Sequence, residues 1–399
     1  PGNADADVMT PNDKHWLNGE RLFLYPGLIA LIFVGWYAFF LLKSGNGVDP
    51  GGNPLGYDFI QFWSVSHIGL HDQPVLAYDV PHLGALERQI APALKGNLPW
   101  RYPPTFYLLV LPFSLLPLLL SWAAFALGSL ALYVAVFRRV IRAPQALLCL
   151  LGFGPLWNNL MAGQTGFLTA SLAAGALLCL KARPVSAGVL IGLLAIKPHL
   201  AVLFPLCLIA VGAWRAFFAA AATVTAFVLI SLAVLGGDTL AAFLHGLSEA
   251  QQWLAAYKSP LLKMPSVFNA LRILDAPLAL AYILHGAAAL CAAWVVWRIW
   301  RGCADARLRN AALMTGSFFI SPYIFDYDLV WLAFPVAWLV LYCQEHGWRR
   351  FEREILLLCW ADTLFIAVLA KHLWFHTAPI ALGVLLWLIY RHAFEKPEP

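Results

Sequence analysis

The chain has 399 residues, 61% hydrophobic and only 12% charged, with a net charge of +5 and a mean hydropathy of +0.72. Soluble domains carry about 25% charged residues, so this composition excludes an ordinary soluble enzyme and makes hydrocarbon the main solvent. The small positive charge lies in short loops and reads as a topology signal, which excludes a nucleic-acid surface.

Residues 1–20 are polar. Leu22 to Leu42 is too long for a signal-peptide core and is expected to be a retained first span. The longest largely polar stretch follows, 44–101, opened by Gly45-Asn46-Gly47 and Asp49-Pro50-Gly51-Gly52. Within it, Gly56-Tyr57-Asp58-Phe59-Ile60-Gln61-Phe62-Trp63 sets a carboxylate among aromatics. Read as a helix, Asp58, Gln61, Ser64, His67 and His71 form a polar stripe, and Phe59, Phe62, Trp63 and Leu70 an apolar face. Such a segment suits the membrane surface. Arg101-Tyr102-Pro103-Pro104 then leads into an apolar stretch to Phe137. Pro112 and Pro117 interrupt its first half, which is expected to be re-entrant.

Basic clusters recur at 138–142, 181–183, 215, 298–309, 349–353 and 391, with room between them for out-and-back helical pairs. Placing these clusters in the cytoplasm sends the intervening turns to the opposite face. Those turns hold Gly163-Gln164-Thr165-Gly166, Lys197-Pro198-His199, the loop 236–275, Ser321-Pro322 through Asp328, and Lys371 to His376. The expected architecture is therefore all-α: a single polytopic membrane domain over 1–399 with about 12 transmembrane helices and an outer-face amphipathic helix after the first span. Segments 44–101 and 236–275 are its outer loops.

The candidate chemistry gathers on that outer face. Asp58 either caps the helix it begins or acts as a general base in a partly desolvated pocket. Lys197, at a helix break without a neighbouring acid, either snorkels or holds an anion such as a phosphate. Asp326 and Asp328 flank Tyr327 and either start a helix, bind sugar hydroxyls or coordinate a divalent cation. Gln164 turns a hairpin or bonds a sugar. Arg101 and Tyr102 either anchor at the interface or clasp a ligand. The spacing of His372 and His376, beside Lys371, is weak evidence for a metal. Seven cysteines stand singly without C-x-x-C spacing, so neither a disulfide framework nor a zinc site is expected. Phosphate-loop, dinucleotide and nucleophile-elbow motifs are missing, against ATP-driven work, nicotinamide chemistry and an α/β-hydrolase. The rival reading is a transporter or flippase, which would set its polar residues near the bilayer midplane.

The ordered set of short elements, Tyr57-Asp58-Phe59 with Phe62-Trp63, then Tyr102-Pro103-Pro104, Gly163-Gln164, Gly192 with Lys197-Pro198, and Ser321-Pro322 before Asp326-Tyr327-Asp328, resembles glycosyltransferase family 87 of the GT-C class of membrane glycosyltransferases. The resemblance implies an inverting hexosyltransferase, with mannose favoured. It would move sugar from a polyprenyl-phosphate donor to a lipid or glycan acceptor, on the outer face of the cytoplasmic membrane, without a cofactor. It gives Asp58 the role of base. Some relatives have a histidine after the later Ser-Pro element, where this chain has Asp326-Tyr327-Asp328. The donor-phosphate contact is therefore expected at Lys197, with His199 and Arg101. Tyr57, Gln61, Trp63, Tyr102, Gln164, Asp326, Tyr327, Asp328, Lys371 and His376 are expected around sugar or acceptor.

Overall fold

A computed structural model describes residues 15–45, 47–256 and 259–395. The polar segment 1–14 and Asn46 lie outside the described residues. Among those described, the chain is helical and has no β-strand. The helices are α1 (Gly19–Lys43), α2 (Phe59–His71), α3 (Val80–Ile90), α4 (Pro104–Val110), α5 (Leu118–Val140) and α6 (Pro144–Leu151). Then come α7 (Gly154–Ala162), α8 (Gly166–Cys179), α9 (Pro184–Leu193), α10 (Leu203–Ala210), α11 (Trp214–Leu235) and α12 (Asp238–Ala256). The last are α13 (Val267–Ile273), α14 (Leu278–Gly302), α15 (Ala306–Gly316), α16 (Ala333–His346), α17 (Glu352–Leu373) and α18 (Ala378–Phe394).

Against about twelve expected spans, five helices among the described residues are long and apolar enough to cross a bilayer: α1, α5, α11, α14 and the stretch Asp326–His346. Other apolar runs are shorter because proline or lysine interrupts them. The run after Tyr102 stops at Pro112 and restarts after Pro117, giving short α4 and full-length α5. The expected loop 236–275 is largely helical instead, holding α12, a 3-10 turn at Ser259–Lys263 and α13.

The outward surface is greasy. In α1, Phe23, Leu28, Leu31, Ile32, Phe39 and Leu42 are all exposed. So are Phe218, Leu229, Ile230 and Val234 of α11. Apolar area on this scale is stable facing lipid, where helices satisfy their own backbone; this is a membrane protein.

Inside, α8 is buried nearly all round, from Gly166 and Phe167 to Ala176 and Leu177. Helices α9 and α11 touch along small residues. A Cβ at Gly188 would stand 2.4 Å from the Ala216 carbonyl oxygen, and one at Gly192 2.5 Å from Thr223 Cβ. That small-residue contact lets two helices approach closely where lipid offers no hydrophobic drive.

The amphipathic reading of α2 is revised. Phe59 and Phe62 are buried as expected, but so are Gln61 and Ser64 of the polar stripe. The segments α3 to α5 pack around the helix, so it lies inside the protein. Phe62 meets Tyr102 and Phe106 edge-on at 5.5 and 5.0 Å, and Trp100 stacks on Phe106 at 5.6 Å. Such contacts add about 0.5–1.5 kcal/mol each beyond area burial and fix where Asp58, one turn away, can point.

Candidate active site

Asp58 holds the N-cap position of α2, but its side chain makes no capping hydrogen bond. The carboxylate turns away: Gln164 Nε2 donates to Asp58 Oδ2 at 3.0 Å. Asp58 keeps part of its surface open, and its Oδ1 has no hydrogen bond among the described residues. Burial pushes its pKa up, countered by the Gln164 donor and by the positive charges of Lys263 and Lys197.

A tight turn positions Gln164. Gly163 ends α7 with φ +68°, and Asn159 organises the turn. The Asn159 carbonyl accepts from the N–H groups of Gly163 (3.0 Å) and Gln164 (3.2 Å). The Asn159 side-chain oxygen accepts from Gly166 N–H at 2.9 Å. A Cβ on Gly163 would meet Trp122 Cδ1 at 2.6 Å and Phe59 Cβ at 2.9 Å. Gly163→Ala is therefore expected to lower stability by more than about 1 kcal/mol, through both the positive φ and the clash. Thermal unfolding in detergent measures this, and an unchanged midpoint would refute it.

From Gln164 the network runs onward. The Tyr102 hydroxyl donates to Gln164 Oε1 at 2.9 Å and also interacts with the Tyr327 hydroxyl. The Tyr327 ring lies 4.8 Å from Lys197 Nζ. Lys197 donates to Asp328 Oδ1 at 2.6 Å, with Lys197 4% and Asp328 0% exposed. Asp328 Oδ2 accepts the Phe325 N–H at 3.2 Å, which starts the 3-10 helix Asp326–Leu332. Helix-starting and ion pairing thus both fall to Asp328.

This corrects several expectations. Asp328 is wholly buried and unavailable to a sugar. Lys197 is held by Asp328 and is not an open phosphate ligand. Arg101 is engaged too, its guanidinium donating to the Gly246 carbonyl and, at 3.1 Å, to Glu249. His199 lies beside Lys197, with Nε2 buried and without a hydrogen-bond partner among the described residues. Gln61 donates to the Leu98 carbonyl at 2.6 Å, a packing role. Trp63 donates to the Leu116 carbonyl at 2.8 Å and stacks on His67. Tyr57 reaches the Lys95 carbonyl at 3.4 Å. Asp326 accepts the Tyr327 N–H at 2.8 Å and feels the charges of Asp58 and Lys263. Lys371 is exposed at the end of α17. His376 is 1% exposed and bonds the Leu261 carbonyl through Nε2 at 2.7 Å, so it braces the 3-10 turn 259–263 instead of lining the site.

Two residues escaped the sequence reading. Lys263 is exposed at the end of that braced turn, close enough for its charge to act on both Asp58 and Asp326. Its only sequence signal is a lone lysine in a stretch read as loop. Glu87 on α3 is 0% exposed, accepts the Leu98 N–H at 3.0 Å, and is pushed up to about 7 by burial. It fixes the loop at Leu98, whose carbonyl accepts from Gln61 of α2.

The fold and site together define a polytopic membrane enzyme whose open carboxylate faces a nearby cation. The family model of glycosyltransferase family 87 matches residues 100–322, more than half of the chain, and the chain belongs to that family. It is a membrane glycosyltransferase, consistent with the GT-C type. The matched stretch contains Tyr102, Gln164, Lys197 and Lys263; Asp58 precedes it and Asp326 follows it. No curated protein and no solved structure matches the chain.

Proposed function

We propose that this glycosyltransferase moves a hexose, mannose favoured, from a polyprenyl-phosphate donor to a hydroxyl of a lipid or glycan acceptor, with inversion. The observation that carries the reading is the Gln164 hydrogen bond that aims Asp58 out of its capping position, leaving Oδ1 open within the field of Lys263. In this scheme Asp58 takes the acceptor proton as the hydroxyl oxygen attacks the anomeric carbon. The bond from that carbon to the phosphate oxygen breaks, and polyprenyl phosphate leaves with the electron pair. Lys263 balances charge on the departing phosphate, while the Lys197–Asp328 pair holds Tyr327 and, through it, Tyr102 and Gln164. No cofactor enters the scheme.

An apolar groove of about 220 Å³ lies elsewhere in the bundle. Leu329 and Leu332 line it, from the same short helix that begins with Asp326, together with Phe137, Phe153, Val336 and Leu385. Ile141, Val340, Trp348 and Arg353 also line it, at the end of the bundle that carries the basic clusters, and none of Asp58, Gln164, Lys197 or Lys263 is among its lining residues. Following the charge pattern, segments 44–101 and 236–275 and the site would face the non-cytoplasmic side of the cytoplasmic membrane.

Incubation of purified protein with a polyprenyl-phosphate hexose and acceptors tests the reading. Donor consumption with glycoside formation supports it; movement of an intact substrate without a glycosidic product would restore the transporter alternative. Lys263→Gln is expected to raise the donor KM by about tenfold or more, the worth of one charge-assisted contact. Because Lys263 is exposed, its unfolding temperature should stay unchanged. An unaltered KM would withdraw Lys263 from the scheme.

A further inference from the structure

At the far end of the span that carries Asp328, three helix ends meet: Cys343 near the end of α16, Glu352 in the first turn of α17 and His392 in the last turn of α18. Cys343 Sγ is 3.3 Å from His392 Nε2, which is 3.0 Å from Glu352 Oε2. The ligand atoms all lie within 4.8 Å of one another. Cys343, Glu352 and His392 are 1%, 2% and 8% exposed. A single hydrogen on Nε2 can serve Sγ or Oε2 well, not both. The second carboxylate oxygen, Glu352 Oε1, is buried without a hydrogen-bond partner among the described residues. Such an orphan is costly in a dry interior unless something unseen satisfies it.

We propose that Cys343, Glu352 and His392 form a metal site for a divalent ion of the zinc class, clamping α16, α17 and α18 together. Ligand atoms about 2.0–2.3 Å from tetrahedral zinc stand roughly 3.3–3.5 Å apart. The Sγ–Nε2 and Nε2–Oε2 edges, 3.3 and 3.0 Å, match this to within a few tenths of an ångström, and the third edge, at most 4.8 Å, would close on the ion. A thiolate, an imidazole and a carboxylate make the donor mixture that suits zinc, and the two anions neutralise its charge. Arg349 meets Glu395 at 2.8 Å and Arg307 meets Asp305 at 2.7 Å and Glu345 at 2.6 Å; the Arg349 backbone N–H also donates to Glu352 Oε2 at 2.8 Å, and Arg353 lies close enough for its charge to act on Cys343. The absence of C-x-x-C spacing concealed the site, because each ligand comes from a different helix.

The test uses the full chain in detergent, stripped with a chelator and titrated with Co²⁺. One equivalent is expected to bind with thiolate-to-metal absorption, which is lost in Cys343→Ser and kept in Cys359→Ser. Added Zn²⁺ should displace the Co²⁺ and raise the unfolding temperature of the wild type but not of Glu352→Gln. If Cys343→Ser fails to fold, the wild-type spectrum and Glu352→Gln still decide. The proposal is overturned by a wild type without thiolate absorption, by full absorption in Cys343→Ser, or by an equal thermal shift in Glu352→Gln.

Discussion

Asp58→Asn is expected to lower the rate of glycosyl transfer by about 10²–10⁴-fold, the usual contribution of a positioned general base. Asparagine keeps the size and can still pair with Gln164, so folding and donor binding should survive. The loss should therefore appear in kcat more than in KM. The pH profile gives a second readout. Burial raises the Asp58 pKa, and the base works only when ionised, so the rate should fall as pH drops through a value above the usual carboxylate range. Gln164 donates to the ionised form and lowers that pKa. Gln164→Leu should thus move the acid limb to higher pH. Turnover that survives both Asp58→Asn and Asp58→Ala would remove Asp58 as the base, whatever the pH profile.

Asp328→Asn is expected to destabilise the protein by about 3–5 kcal/mol, because it leaves the Lys197 ammonium buried and uncompensated. Lys197→Met should cost a similar amount by stranding the carboxylate. The double variant Lys197→Met with Asp328→Leu removes both charges and should recover most of the loss, since buried pairs are often replaceable by apolar residues of similar volume. Thermal unfolding of the three variants in detergent forms a double-mutant cycle. Additive losses would show that the pair is not coupled. Activity of the stable double variant then separates two roles: a pair that only positions Tyr327 should leave donor KM nearly unchanged, whereas direct phosphate binding by Lys197 should raise it steeply.

Much of the body was legible in the residues. Low charge with long apolar runs dictates lipid-facing helices, since only a helix satisfies its own backbone in hydrocarbon. The prolines at 112 and 117 stop α4 short of a span and start α5 where steric rules require. Asp58, Tyr102, Gln164, Lys197, Tyr327 and Asp328 stand out in the sequence as polar or aromatic residues at breaks in the apolar runs, and the structure joins them in a continuous chain of contacts. What they do to one another was not legible. Lys197 read as a phosphate ligand until Asp328 arrived beside it, 131 positions along the chain. Asp58 read equally well as a helix cap until Gln164, 106 positions away, claimed its carboxylate.

The sequence by itself therefore determined the solvent, the helical class and which polar residues stand apart from the apolar background, because hydrophobic periodicity and proline act over a few neighbouring residues. Only the tertiary structure decided partnership: Gln164 with Asp58, Asp328 with Lys197, His376 bracing the turn that presents Lys263, and three helix ends bringing Cys343, Glu352 and His392 together. Pairing at this range depends on where broken helices end and how closely glycines such as Gly166 let them approach. The Gly166 Cβ position lies 2.7 Å from the Tyr327 carbonyl oxygen, which leaves no room there for a side chain, and no local pattern encodes that distance.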